Sequence, residues 1–174
     1  MNKGKIVASL IVLSGVVAGG LLWWTENYAY YEPVSAGALT IRATTFDGVA
    51  DPLPVAALQA IDADTSPLRF RACFTTPLSL AMMSETYQPY EGVTPLNTPG
   101  WFDCYDAGAL TQAMEDGSAL AFIGEENFVF GFDRIVLVTG DGRGFAWHQI
   151  NHCGEAVYDG DPAPAGCPPA PERN

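Results

Sequence analysis

The chain has 174 residues, 48% of them hydrophobic, and a formal net charge of −12, which leaves room for one membrane span and a single packed domain. Its only lysines are Lys3 and Lys5, so the rest of the chain is more acidic still: setting those two aside takes −12 to −14. Such a surface repels phosphate backbones, which excludes nucleic acid as a partner, and the missing lysine removes the usual phosphate-cradling side chain of kinases and nucleotide-binding loops.

Residues 6–24 (IVASLIVLSGVVAGGLLWW) carry no charge. As a helix rising ~1.5 Å per residue they reach about 28 Å, close to the ~30 Å hydrocarbon core of a bilayer. Lys3 and Lys5 precede the run, and Trp23, Trp24, Tyr28, Tyr30 and Tyr31 follow it as an interfacial belt. Basic residues stay on the cytoplasmic side, so residues 1–5 are expected in the cytoplasm and everything after Trp24 outside it. A cleaved secretory signal ending at Ala18 is the rival reading. Cleavage there would leave GGLLWW at a free N-terminus in water, and the apolar run continues to full spanning length, so an uncleaved signal-anchor is preferred. Gly15 and Gly19 form a Gly-x-x-x-Gly ridge with Ser14 and Ala18 beside it. Small residues allow close backbone approach in lipid, so this ridge is a candidate helix-packing face, for a second copy or for a larger membrane complex.

Residues 25–37 read as a stalk ended at Glu32-Pro33, and 38–45 (ALTIRATT) alternate as a strand. Gly48, Pro52 and Pro54 mark a turn, followed by a short apolar segment at 55–61. Residues 68–75 (LRFRACFT) alternate again, and Thr76-Pro77 opens a helix to about residue 85. A long loop spans 86–103. Asp106 then caps a helix whose apolar face is Ala109, Leu110, Ala113 and Met114, ending at Gly117. The remainder reads as a β-meander: 119–123, then a long strand over 128–139 bulged near Gly131, a Gly-Asp-Gly turn, and a return over 144–151. Phe128, Phe130 and Phe132 share one face of that long strand and are expected in the core. Five prolines (Pro162, Pro164, Pro168, Pro169, Pro171) predict an irregular tail over 154–174. The fold class is therefore α+β: a transmembrane helix over 6–24, then one small domain over 38–153 with an antiparallel sheet and two or three short helices.

Four cysteines, Cys73, Cys104, Cys153 and Cys167, lie outside the cytoplasm in this topology and form two disulfides among three connectivities. Cys73–Cys104 with Cys153–Cys167 is favoured, because Cys167 lies in a tail otherwise hard to hold. No Cys-x-x-Cys occurs, so staples are expected and not redox chemistry.

Few side chains suggest catalysis. Asp62-Ala63-Asp64 has the Asp-x-Asp form of a phosphatase nucleophile loop, but that chemistry needs a later lysine and none follows Lys5. As a calcium loop, Asp62, Asp64 and Ser66 would take positions 1, 3 and 5, with Pro67 where glycine belongs and Cys73 where the bidentate glutamate belongs. An acidic surface turn is the preferred reading. His148 and His152, four apart, would chelate a metal on a helix; in a strand they stand about 13 Å apart, so hydrogen-bonded structural histidines are preferred and a metal-handling protein is kept as the alternative. No Gly-x-Ser-x-Gly elbow is present, so a hydrolytic enzyme ranks third, and no catalytic residue or cofactor is expected.

Residues 66–74 (SPLRFRACF), 99–104 (PGWFDC) and 146–151 (AWHQIN) resemble an uncharacterised bacterial family of small membrane-anchored proteins, a domain of unknown function, over most of the chain except the tail. The resemblance implies an anchor-plus-domain layout in a Gram-negative inner membrane, with the domain in the periplasm. It carries no activity or ligand with it. The expected role is interaction, as an accessory or assembly partner of a membrane complex or as a ligand-sensing module.

Overall fold

The computed structural model describes residues 3–171 and divides into two units, residues up to 31 and residues from 32 on. In the first unit, α1 (Lys3–Trp24) continues through a five-residue π-helical turn, Thr25–Ala29. No proline interrupts the segment and no charge falls between Ile6 and Thr25, so the interior backbone bonds of this stretch are met within the helix. Ser14 Oγ donates back to the Ile11 carbonyl (2.8 Å), and at the wider turn Thr25 and Asn27 donate to the carbonyls of Leu22 (2.9 Å) and Trp23 (2.8 Å). The 27 residues from Lys3 to Ala29 include an 18-residue window of mean hydropathy 2.3, long and apolar enough to cross a membrane.

The second unit is an α+β domain on a six-stranded antiparallel sheet, in the order β1 (Glu32–Val34), β4 (Ala56–Asp62), β5 (Arg71–Thr75), β8 (Arg143–Ile150), β7 (Phe132–Thr139), β6 (Ala119–Val129). A separate hairpin pairs β2 (Arg42–Thr44) with β3 (Ala50–Pro52). Three helices complete the domain: α2 (Leu80–Thr86), α3 (Ala107–Glu115) and α4 (His152–Asp159).

Alternation along paired strands gives the sheet two faces, and both are covered. Ala72, Phe74, Ala146, Val136, Val138 and Phe122 pack on one side against Ile41, Ala43 and Leu53 of the hairpin region and Met83 of α2. On the other side lie Cys73, Phe145, Trp147, Ile135 and Leu137. There the Tyr105 ring meets Phe145 and Trp147 edge-on at 6.0 and 6.2 Å, and the Cys73–Cys104 disulfide fastens the 87–105 segment to β5. Arg71, 3% exposed, fixes the rest of that segment: its guanidinium donates to the carbonyls of Leu68 (2.7 Å), Phe70 (2.6 Å), Leu96 (3.1 Å) and Asn97 (2.8 Å). A buried charge needs such saturation.

Several boundaries differ from the sequence reading, each for a local reason. The expected stalk over 25–37 splits, because Glu32–Val34 pairs with Asp62–Ala60 as an edge strand, where Pro33 is tolerated. The strand expected over 38–45 shrinks to Arg42–Thr44 behind a 3-10 turn at Ala36–Ala38, and the apolar segment 55–61 is itself a strand. The helix placed from Pro77 starts at Leu80: Thr76 Oγ1 accepts the Leu78 N–H in a turn of its own, and Ser79 Oγ caps the helix on Met82 N–H. The long strand over 128–139 is two strands, broken at Phe130-Gly131, where Gly131 takes φ +80°. Phe128, Phe130 and Phe132 therefore straddle a turn and do not share a strand face. Finally, the region given to an irregular tail begins with α4, capped by Asn151 and ended by Gly160 at φ +94°.

Candidate functional site

Polar side chains gather at one end of the sheet, where β6 and β8 end and β7 begins beside α4. On the face carrying Ala146 and Val136, the next paired residues are Arg134 of β7 and His148 of β8. The Arg134 Nε–H donates to His148 Nε2 at 3.0 Å, and one guanidinium nitrogen forms an ion pair with Glu125 of β6 at 2.7 Å. His148 Nδ1–H donates to the Pro67 carbonyl at 2.7 Å, so both ring nitrogens are committed and the imidazole is neutral. Its ring lies between Phe70 and Phe128, with centroids 4.5 and 3.8 Å away, and the Arg134 guanidinium stands 5.0 and 5.1 Å from the same two rings. Burial, then the neighbouring Arg134 charge, pushes the His148 pKa down to about 3, against a smaller upward pull from the Pro67 bond. Burial likewise works against the Arg134 charge, which Glu125 and Asp62 support.

On the opposite face, Asp133 anchors a second cluster. Its Oδ1 accepts the Asn127 N–H (2.9 Å) and Asn151 Nδ2 (2.7 Å), and its Oδ2 accepts the Tyr90 hydroxyl (3.2 Å). Asn151 Oδ1 in turn accepts the N–H groups of Cys153 and Gly154, both at 3.0 Å, and so starts α4 directly over the β6–β7 turn. The approach is backbone to backbone: a Cβ on Gly154 would stand 2.3 Å from the Gly131 carbonyl oxygen, and one on Gly131 would stand 2.6 Å from Gly154 Cα. Burial, followed by the Asp133 charge, raises the Tyr90 hydroxyl pKa, so it remains a donor.

The chain bends at Asn151, and the two histidines part company there. His148 is 2% exposed with no free lone pair, which removes it as a metal ligand. His152 is exposed as the first residue of α4, and its Nε2 lies 3.5 Å from Cys153 Sγ and 3.6 Å from Cys167 Sγ. Those cysteines form the second disulfide, which ties the proline-rich segment to α4. Asp62 ends β4 and accepts the Ala63 N–H (2.8 Å); burial raises its pKa, opposed by that bond and by Arg134. Asp64 is exposed on the following turn, and Ser66 Oγ accepts the Leu68 N–H as the cap of a 3-10 turn over Pro67–Arg69. In α1, a Cβ built on Gly15 or Gly19 meets nothing within 4 Å.

A different kind of feature lies at the far end of the hairpin. Phe46 (57% exposed) and Val49 (56%) form its tip, and the Phe46 N–H donates to the Thr86 carbonyl at the end of α2 (3.3 Å). One turn earlier on the same helix face, Met82 is 53% exposed. Asp47, Asp51 and Glu85, all exposed, flank these three apolar side chains in the chain.

Sequence reasoning missed Arg134, Asp133, Asn151 and this tip. A charged pair, Asp133-Arg134, inside the apolar run FDRIVLVT was a signal of buried pairing, and Asn151 ahead of HCGEAVYD was an N-cap signal. The hairpin tip had no pattern to betray it, because single exposed Phe and Met residues are ordinary in sequence.

No curated protein and no solved structure matches the chain. Residues 41–168, a span holding the sheet from β4 onward, both disulfides and all three helices of the domain, match the family of unknown function DUF6446, and the chain belongs to that family.

Proposed function

We propose that this protein is a membrane-anchored accessory module whose domain docks a partner carrying a basic, apolar segment. In this reading α1 sits in a bacterial inner membrane with residues 1–5 in the cytoplasm, and the α+β domain works in the periplasm. The apolar length of α1, the lysines at its N-terminal end and the two disulfides support that placement. A fusion of alkaline phosphatase to the C-terminus should be active, whereas activity of a cytoplasmic reporter in its place would overturn the topology.

One observation carries the docking half: Phe46, Val49 and Met82 expose three large apolar side chains among Asp47, Asp51 and Glu85. Apolar anchors within a charged rim are the anatomy of a protein interface, and the rim's sign selects a basic partner. The test is affinity purification from native membranes of the wild type beside Phe46→Ser/Met82→Ser. A basic protein that accompanies the wild type and is lost from the double variant supports the reading. An unchanged set of partners refutes it.

A further inference from the structure

Among the described residues, His152, Cys153 and Cys167 are the one group of three His, Cys or carboxylate side chains whose ligand atoms all lie within 4.8 Å of one another. Neither the disulfide nor the docking surface accounts for the histidine. A staple needs two sulfurs, yet an imidazole nitrogen stands 3.5 Å from one and 3.6 Å from the other. Those distances have a chemical meaning. In a tetrahedral zinc site, with Zn–S of ~2.3 Å and Zn–N of ~2.0–2.1 Å, the nitrogen lies about 3.6 Å from each sulfur and the sulfurs about 3.8 Å from each other. Both nitrogen–sulfur distances already fit, and only the sulfur–sulfur separation would have to open. Local structure permits this. Cys153 is held in the first turn of α4 by Asn151, whereas Cys167 sits on a largely exposed segment outside any helix or strand. His152 is exposed and Cys167 partly so, which gives an ion a route in and leaves a fourth position to water.

We infer that the dithiol form of this protein binds one thiophilic d10 cation, of the zinc type, through Cys153 Sγ, Cys167 Sγ and His152 Nε2. The disulfide first takes two electrons and two protons from a dithiol reductant, which becomes a disulfide itself. The ion then displaces the two thiol protons and accepts the Nε2 lone pair, with the imidazole proton on Nδ1. Disulfide and ion exclude one another, and either one pins the proline-rich segment to α4.

The test uses the full chain in detergent, reduced with a phosphine, freed of it without air, and titrated with cobalt(II). One cobalt per chain should bind, with thiolate-to-cobalt charge-transfer absorption and the intense visible bands of a tetrahedral ion, and one equivalent of zinc should displace it. The unreduced chain should show neither. Outer partners of a metal ligand are already worth about 10–100-fold in affinity, so His152→Ala, an exposed substitution, should weaken binding at least that much and alter the visible bands. Cys167→Ser should roughly halve the charge-transfer intensity, because it removes one of two thiolates. A reduced wild type without these bands would overturn the inference. So would wild-type spectra from both His152→Ala and Cys153→Ala/Cys167→Ala, which would place the cobalt on Cys73 and Cys104.

Discussion

Acid should unfold this domain through one side chain, His148. Its imidazole is buried and neutral, with a pKa pushed from the ordinary 6.5 down to about 3, while in the unfolded chain it titrates normally. Between those values the unfolded state binds the extra proton, so stability rises with pH and falls as the solution is acidified below 6.5. Going from pH 7 to pH 4.5, the linkage from a pKa of 6.5 to about 3 is on the order of 2–3 kcal/mol, a large part of a domain's ~5–15 kcal/mol. Asp62, whose pKa burial raises, has the opposite sign and offsets part of that loss as it takes up its proton. The measurement is the urea midpoint of the full chain in detergent across that pH range, followed by tryptophan fluorescence, for the wild type and His148→Gln. The glutamine amide offers an acceptor to Arg134 and a donor to the Pro67 carbonyl, but it has no ring to fill the space between Phe70 and Phe128. The variant should therefore start about 1–3 kcal/mol less stable at pH 7 and then lose less with acid, with a slope shallower by close to one proton. Wild-type and variant curves that run parallel would show that the histidine is not held neutral, and the account of the Arg134 contact would fail with it.

Arg71→Met should destabilise the domain by about 3–5 kcal/mol, since four carbonyls lose a charged donor together. Proteolysis of the folded variant should open first between residues 91 and 103, and a protected loop there would contradict the role given to the guanidinium. Asn151→Ala removes the cap of α4 and one donor to Asp133, with an expected cost of about 2–4 kcal/mol by chemical denaturation. Gly154→Ala would place a methyl group 2.3 Å from the Gly131 carbonyl oxygen, so α4 must shift or lift, at about 1–3 kcal/mol. A thermal midpoint equal to the wild type's would mean the two backbones are not in the contact described.

How much of this could be read in advance follows from what local sequence encodes. Residues 6–24 declare themselves because apolar length is a one-dimensional property. The α3 cap at Asp106 and its stop at Gly117 are local chemistry as well, and Asp106 Oδ1 does accept the Ala109 N–H at 3.1 Å. The β6–β7 turn was hidden because β7 is covered on both faces and reads as a nearly continuous apolar run, so its start has no alternation to mark it. Strand β1 was hidden by its proline and its three-residue length. The Arg134–His148–Glu125 cluster is a product of register: three residues far apart in sequence become neighbours only once β6, β7 and β8 are aligned. No pattern within one strand contains that information. The same holds for His152 and Cys167, which the turn at Asn151 and the disulfide bring together.

The fate of the cations ties interior to surface. Of the arginines that follow α1, Arg71 and Arg134 are drawn inside by backbone carbonyls, an imidazole and a carboxylate. Arg42 donates to the Ala50 carbonyl (3.0 Å), and Arg143 is paired with Asp141 at 2.8 Å. The positive charge this domain possesses is therefore largely engaged in organising its own loops and strand ends, while carboxylates such as Asp47, Asp51, Asp64, Glu85, Glu126 and Glu155 remain at the surface. A field of one sign results, and it extends over a Debye length of ~8 Å at physiological salt. It repels a second copy of the same domain as well as anionic headgroups, which argues against self-association through this unit. Under the proposed function, the same field would draw a basic partner toward the hairpin tip, where Phe46, Val49 and Met82 would supply the contact area that charge alone does not.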